Sequence, residues 1–324
     1  MDLETKYQLL QSMLFIRLVE EKIAEKYSEN QMRCPVHLSI GQEAIASGVC
    51  AHLSPNDKLI SAHRSHAHYL AAGGDLKAML CELYGKIDGC AKGKGGSMHL
   101  IDLEAGLISA VPIVGSSIAI GTGVAWSNKI KKSDSIVAIF LGDGATEEGV
   151  FSESLDFAAL HELKVLFICE NNNYSVYTHI SDRQHSKRSI CDIAKAHGIR
   201  SFSAEGNDVL EVYDLTKEAL SFMNDHACPA LVEFSTFRWR EHCGPNFDDH
   251  LCYRPVDEVA GWKRRDPLNL LEEELIGDED CEARIRLLRS YISEEVENAF
   301  LFAGNSPYPN VSEVFTDIFS VEGV

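Results

Sequence analysis

The chain has 324 residues, 45% hydrophobic and 24% charged, an ordinary balance for a globular protein of one large or two small domains. A formal net charge of −19 argues against a nucleic-acid partner and against an anionic membrane surface, since both require basic patches. The ten cysteines are scattered without a Cys-x-x-Cys pair, which excludes a zinc-ribbon spacing and a small disulfide framework and suits a reduced, cytoplasmic setting.

Met1-Asp2-Leu3-Glu4 lacks a basic stretch followed by an apolar run, which argues against a secretory signal, and no apolar run reaches the length of a membrane span. Residues 5–28 carry Leu9, Met13, Ile16, Val19 and Ile23 at helical spacing and predict a helix. A second helix is expected over 41–53, a short strand at Lys58-Leu59-Ile60-Ser61 and a helix over 76–84. The glycine-rich, basic stretch 91–99 reads as a loop, and the small, apolar stretch 117–128 as a buried helix. Ser135-Ile136-Val137-Ala138-Ile139-Phe140-Leu141 reads as a buried parallel strand. A helix over 146–161 and a strand over 164–170 complete a βαβ unit, in which Cys169 is a small apolar core residue. A helix over 209–223, a strand over 231–234 and a polar loop over 246–249 follow. The C-terminal third is more helical, with 281–302 its clearest helix. No internal repeat or low-complexity linker interrupts the chain. The simplest description is one α/β domain over 1–324: a parallel sheet flanked by helices in a core of roughly 37–237, an N-terminal helical extension, and a helical C-terminal part of roughly 256–304.

The first of the two βαβ strands ends in Gly142-Asp143-Gly144, and residues 145–170 later the second ends in Asn171-Asn172. Adjacent parallel strands put Asp143 and Asn172 side by side at the carboxyl edge of the sheet, where open α/β folds bind ligands. A carboxylate and an amide oxygen suit a hard cation such as Mg2+, which keeps further positions for phosphate oxygens. Taken singly, Asp143 also fits a helix N-cap and Asn172 a turn. Gly142 and Gly144 permit a tight turn and a close approach of backbone to phosphate. The histidine-rich segment His63-Arg64-Ser65-His66-Ala67-His68 is unusual for plain surface. Arg64 is suited to phosphate oxygens by its forked guanidinium. A zinc site is a rival reading, because His66 and His68 would face the same way if they lay in a strand.

The Gly-Asp-Gly and Asn-Asn pair at this separation resembles the thiamine diphosphate motif. The longer text Gly142-Asp143-Gly144-Ala145-Thr146-Glu147-Glu148-Gly149-Val150-Phe151, with Glu170-Asn171-Asn172-Asn173-Tyr174, is narrower. It is similar to the alpha subunit of the decarboxylating first component of 2-oxo acid dehydrogenase complexes, of pyruvate, branched-chain and acetoin types, over roughly residues 7–267. The resemblance implies a thiamine diphosphate-binding fold, with thiamine diphosphate and Mg2+ as cofactors. Asp143, Asn172 and the backbone carbonyl of Tyr174 are the implied metal ligands. Gly142, Gly144 and Ala145 lie against the diphosphate, and Arg64 reaches it. His63 stands beside it where relatives often carry tyrosine.

In Ile113-Val114-Gly115 the family pushes an apolar residue between the two cofactor rings, which makes Val114 the wedge; an ordinary core valine is the plain alternative. His242 matches a family histidine over the cofactor that moves protons, and His66 is a second catalytic candidate. His37 and His68 are candidates for the substrate side. Glu43, in the signature His37-Leu38-Ser39-Ile40-Gly41-Gln42-Glu43-Ala44, is expected to begin a helix. Cys243 replaces the serine that some relatives phosphorylate, so that control is expected to be absent. The wording Glu241-His242-Cys243-Gly244-Pro245-Asn246 also departs from the common Gly-His-Ser pattern, which leaves substrate and partner open.

Only the diphosphate and metal half of a thiamine enzyme is recognisable. The resemblance therefore implies a separate beta subunit in an α2β2 heterotetramer, a small 2-oxo acid substrate and a lipoyl-bearing acyltransferase component as acceptor. A thiamine-dependent carboligase and a non-catalytic scaffold subunit are the alternatives. A nicotinamide-dependent Rossmann enzyme lacks its Gly-x-Gly-x-x-Gly here, and Gly93-Lys94-Gly95-Gly96-Ser97 lacks the phosphate-loop spacing.

Overall fold

The computed structural model describes residues 1–277 and 280–317, so residues 278–279 and 318–324 of the expected domain lie outside the described residues. In chain order, α1 (Leu3–Lys26) and α2 (Glu43–Cys50) precede β1 (Lys58–Ser61). Then α3 (His66–Ala71) and α4 (Leu76–Leu83) lead to β2 (Leu107–Ala110), and α5 (Ser116–Ile130) to β3 (Val137–Gly142). A 3-10 turn over Asp143–Glu147 and α6 (Gly149–Leu160) connect β3 to β4 (Val165–Asn171). A small hairpin of β5 (Tyr174–Ser175) and β6 (Thr178–His179) runs into α7 (Ile180–Arg183) and α8 (Ile190–Ala196). Next come β7 (Arg200–Glu205), α9 (Val209–His226) and β8 (Ala230–Ser235). Finally α10 (Val256–Arg264), α11 (Pro267–Glu274) and α12 (Cys281–Asn305) supply the C-terminal helices.

Local chemistry explains where the helices start. Asp2, Asp75 and Asp208 each accept hydrogen bonds from backbone N–H groups in the first turn of α1, α4 and α9. Pro267 opens α11 directly after the capping Asp266. Glu43 begins α2 as expected, and it does more: together with Asp266 it holds the buried Arg17 of α1, whose Nη2 lies 3.0 Å from each carboxylate. Removing one partner of such a buried network costs about 3–5 kcal/mol.

Six strands form one parallel sheet in the order β2-β1-β3-β4-β8-β7. Parallel sheets require cover on both faces, and the alternation along β3 shows how it is met. Ala138 and Phe140 pack into a cluster with Leu10 of α1, Ile45 of α2 and Val212 of α9. Val137, Ile139 and Leu141 point the other way, toward Ile118 of α5, Phe151 of α6 and Ala194 of α8. Gly121 lets α5 lie close to the sheet, since a Cβ there would meet Ile139 Cδ1 at 2.5 Å. That close approach is why the stretch around it is so poor in large side chains.

Register then positions the site. Gly142 of β3 pairs with Glu170 of β4, so Asp143 and Asn172 leave neighbouring strands at the same edge. The expected βαβ unit forms with one change. Helix α6 begins at Gly149 rather than near residue 146, because Glu148 is extended (φ −74°, ψ 139°) and separates it from the 3-10 turn. Asp143 is therefore not a helix N-cap. Among the described residues no helix is long and apolar enough to cross a membrane.

Candidate active site

A cavity of about 220 Å³ opens at this sheet edge. It is lined by Gly142, Asp143, Gly144 and Ala145 after β3, by Asn172, Tyr174 and Val176 after β4, and by the 111–115 loop that leads into α5. His37, His63, Arg64 and His242 complete it. Residues separated by the length of the sheet motif thus share one space, and the remote His242 loop is anchored there by backbone: Gly244 N donates to Val36 O at 2.8 Å, beside His37.

The oxygen donors lie at the strand ends. Asp143 is 2% exposed. Burial raises its carboxyl pKa above the usual range, and the guanidinium of Arg183, bonded to Oδ2, opposes that rise. Asn172 Oδ1 accepts from Tyr174 N at 3.1 Å, the turn geometry expected of an asparagine, and its oxygen keeps a second lone pair. A carboxylate, an amide oxygen and the Tyr174 carbonyl are an all-oxygen set that fits Mg2+ better than a softer metal. A side chain built on Gly142 would meet nothing within 4 Å, so open space remains beside the end of β3.

Arg64 gives the cavity its charge. The side chain is buried, with Nη1 donating to Leu38 O at 2.6 Å and Nη2 to His242 O at 3.2 Å. Burial and the nearby Arg238 lower its pKa to about 10. Among the described residues no carboxylate forms an ion pair with it. A buried cation bonded only to carbonyl oxygens is electrostatically incomplete, and an anion in the cavity completes it.

His37, His63 and His242 surround the same space, with ring centroids 4.8, 5.1 and 5.3 Å apart. Burial, followed by repulsion from Arg64, lowers their pKa values to about 2, 4 and 3 respectively, so all three are neutral at pH 7. Their ligand atoms lie within 4.8 Å of one another, close enough to suggest a metal. The charge of Arg64 that expels a proton from these rings also repels a divalent ion. Neutral imidazoles beside a guanidinium favour an anion, with ring N–H groups as donors. His37 Nδ1 is buried and makes no hydrogen bond, ready for such a partner.

The 111–115 loop presents Ile113 and Val114 at 71% and 52% exposure, so Val114 is not a core valine. Gly115, at φ 84°, turns the chain into α5, with Glu148 Cβ and Val150 Cγ1 close to where a Cβ would stand. An exposed apolar pair beside a polar cavity suits a residue that contacts a ligand or a partner rather than the core.

His66 and His68 depart from expectation. They do not lie in a strand but in the first turn of α3, and neither lines the cavity. His66 Nε2 is 2.7 Å from Ser97 Oγ, and its Nδ1 is 3.3 Å from Glu20 Oε1. His68 stacks on Phe140 at 3.9 Å, with Nδ1 2.8 Å from Ser61 Oγ and Nε2 3.3 Å from Glu170 Oε1. The zinc reading for this segment loses its geometry along with the strand. Sequence reasoning missed two residues. Glu170 lines the cavity and is backed by His68; its place immediately before Asn171-Asn172 was the available signal. Arg183 reaches Asp143 from α7, and nothing in its polar surroundings marked it.

Comparison with known proteins places the chain in a family. The profile of the dehydrogenase E1 component family matches residues 11–312. The chain is 35% identical to the pyruvate dehydrogenase E1 component subunit alpha of Rickettsia felis over 319 residues, 97% of each chain. It is 36% identical to the alpha subunit of acetoin:2,6-dichlorophenolindophenol oxidoreductase of Bacillus subtilis over 312 residues, 96% of this chain and 92% of that one. It is 34% identical to the pyruvate dehydrogenase E1 component subunit alpha of Zymomonas mobilis over 319 residues, 98% and 89% of the two chains. With a match along nearly the whole length, the chain belongs to the dehydrogenase E1 component family, as an alpha subunit of these thiamine diphosphate-dependent oxidoreductases that act on 2-oxo acids.

Proposed function

We propose that this chain, as one domain, carries the diphosphate and metal half of a pyruvate- or acetoin-type dehydrogenase, completed by a beta subunit in an α2β2 heterotetramer. The observation that carries the reading is the buried Arg64 without a carboxylate partner, facing the oxygen donors Asp143 and Asn172 across one cavity. Asp143, Asn172 and the Tyr174 carbonyl hold Mg2+. Arg64 and His63 hold the diphosphate, against the backbone of Gly142, Gly144 and Ala145. When bound, thiamine diphosphate supplies a nucleophilic carbon and an electron sink for decarboxylation.

The protein's own residues orient and exclude. Val114 presses an apolar side chain toward the cofactor rings. His37 and His242, neutral at working pH, would donate hydrogen bonds from a ring nitrogen to the substrate's oxygens and stabilise the charge that develops there. The exposed Ile113, Val114 and Val176 at the cavity suit cover by the beta subunit, which keeps water from the reacting carbon. A lipoyl-bearing acyltransferase component is the proposed acceptor. The ten free cysteines suit the cytoplasm, where thiols stay reduced.

The test is carbon dioxide release from a panel of 2-oxo acids, with acetoin tested alongside for artificial-acceptor reduction. The chain is co-purified with its beta subunit, with thiamine diphosphate, Mg2+ and an artificial electron acceptor present. Turnover of one substrate, lost when the cofactor is omitted, is the expected result. A complex that binds the cofactor and turns over nothing in the panel overturns it.

A further inference from the structure

The carboxylate of Asp143 has a partner that the family motif does not contain. Arg183 of α7 donates from Nη2 to Asp143 Oδ2 and from Nη1 to Glu147 Oε1. Its third donor, Nε, reaches Thr178 O at 3.2 Å. Glu147 is itself held by Gln184 Nε2 at 2.6 Å. The Arg183 side chain is 10% exposed and that of Asp143 only 3%. A planar guanidinium fixed on three acceptors has no freedom to swing, so the orientation of the carboxylate is inherited from the β6–α7 segment. No other side chain among the described residues bonds the Asp143 carboxylate, whose remaining contact is with the backbone N–H of Asp143 itself.

We infer that Arg183 is the positioning residue of the metal-binding carboxylate: it occupies one oxygen of Asp143 and thereby presents the other to the cation. The inference rests on the reading above that Asp143 is a metal ligand. Arg183 competes poorly with the metal, because the two carboxylates it bridges, Asp143 and Glu147, together outweigh its single charge. A ligating carboxylate left without its outer partner is free to rotate, and loss of such a partner typically weakens metal binding about 10- to 100-fold. The same arrangement makes metal affinity depend on the fold of the segment after the hairpin. Arg188 binds the turn next to Arg183, with Nη1 3.1 Å from Thr146 Oγ1.

The test uses the full chain in complex with its beta subunit and Mn2+ as the probe, with thiamine diphosphate at fixed concentration. Bound Mn2+ is read from the loss of its free electron-paramagnetic signal. Complex assembly and melting temperature are followed in parallel. Arg183→Met is expected to weaken Mn2+ binding about 10- to 100-fold without a matching loss of melting temperature. Arg183→Lys, a charge without the fork, is expected to recover part of that loss. Glu147→Ala, which frees Nη1, is expected to give a smaller loss than Arg183→Met. Affinity unchanged or tighter in Arg183→Met overturns the inference, tighter binding marking Arg183 as a competitor. If Arg183→Met fails to assemble, the other two decide, and unchanged affinity in both overturns it. Asp143→Ala separates the two levels: unchanged affinity there refutes Asp143 as a ligand, not the role of Arg183 alone.

Discussion

Two histidine groups lie within one fold and differ in a single respect. His66 and His68 each make at least one hydrogen bond to a protein side chain, Ser97 at His66 Nε2 and Ser61 and Glu170 at His68, which also stacks on Phe140, although His66 Nδ1, 3.3 Å from Glu20 Oε1, is left without one. Among the described residues, His37, His63 and His242 make edge and tilted ring contacts only with one another, and none of their ring nitrogens has a hydrogen bond to the protein. Polar groups that a protein satisfies internally belong to its scaffold. Polar groups that it gathers and leaves unsatisfied are free to meet a ligand, here in the cavity beside Arg64. Five histidines of similar promise in the sequence thus separate by hydrogen bonding, not by spacing.

The comparison can be broken by substitution. His242→Ala should lower kcat of the reconstituted complex by about 100- to 1,000-fold, the usual worth of one positioned hydrogen-bond donor to developing charge. It should change stability by less than about 1 kcal/mol, because no side-chain hydrogen bond is lost. Steady-state kinetics and thermal unfolding check both halves, and a large stability loss would place His242 in the scaffold. His66→Ala should do the reverse. It opens a cavity and removes the side-chain partner of Ser97 Oγ, costing about 2–4 kcal/mol by denaturation, while cofactor affinity measured by calorimetry stays the same. A cofactor defect in a well-folded His66→Ala would return that residue to the active site.

The parts of the site that were legible in the sequence are those fixed by strand register. Gly142-Asp143-Gly144 and Asn171-Asn172 end two apolar runs joined by one helix, so their adjacency follows from the Gly142–Glu170 pairing. Apolar runs and small-residue stretches likewise located β3, β4 and α5 closely. The convergence of His37 with His242 was not legible from spacing, because it depends on the bridge between His37 and Gly244, two loops far apart in the chain. The resemblance to a family supplied that pair instead. His66 and His68 misled because three histidines in a row of six look functional in any conformation, and only the start of α3 turns two of them away. Arg183 was invisible for the opposite reason: one arginine in a polar stretch carries no signal until the hairpin folds it onto Asp143.

A smaller effect sharpens the same contrast through pH. Burial and Arg64 hold His63 at a pKa of about 4, His242 at about 3 and His37 at about 2, against an ordinary value of 6.5. As pH falls through 6.5, the unfolded chain takes up protons that the folded chain refuses. The stabilising contribution of these rings is therefore complete above about pH 6.5 and declines as the pH drops toward the folded values. The slope is at most about 1.4 kcal/mol per pH unit for each histidine. His63→Phe removes one such group, so the apo complex carrying it should lose less stability than wild type between pH 6 and pH 4.5. Melting temperatures of both proteins across that window give the difference directly, with the contributions of unrelated carboxylates cancelling. A difference that stays constant with pH would mean that His63 accepts its proton in the folded state, and the cavity would then be less hostile to positive charge than its unpaired arginine implies.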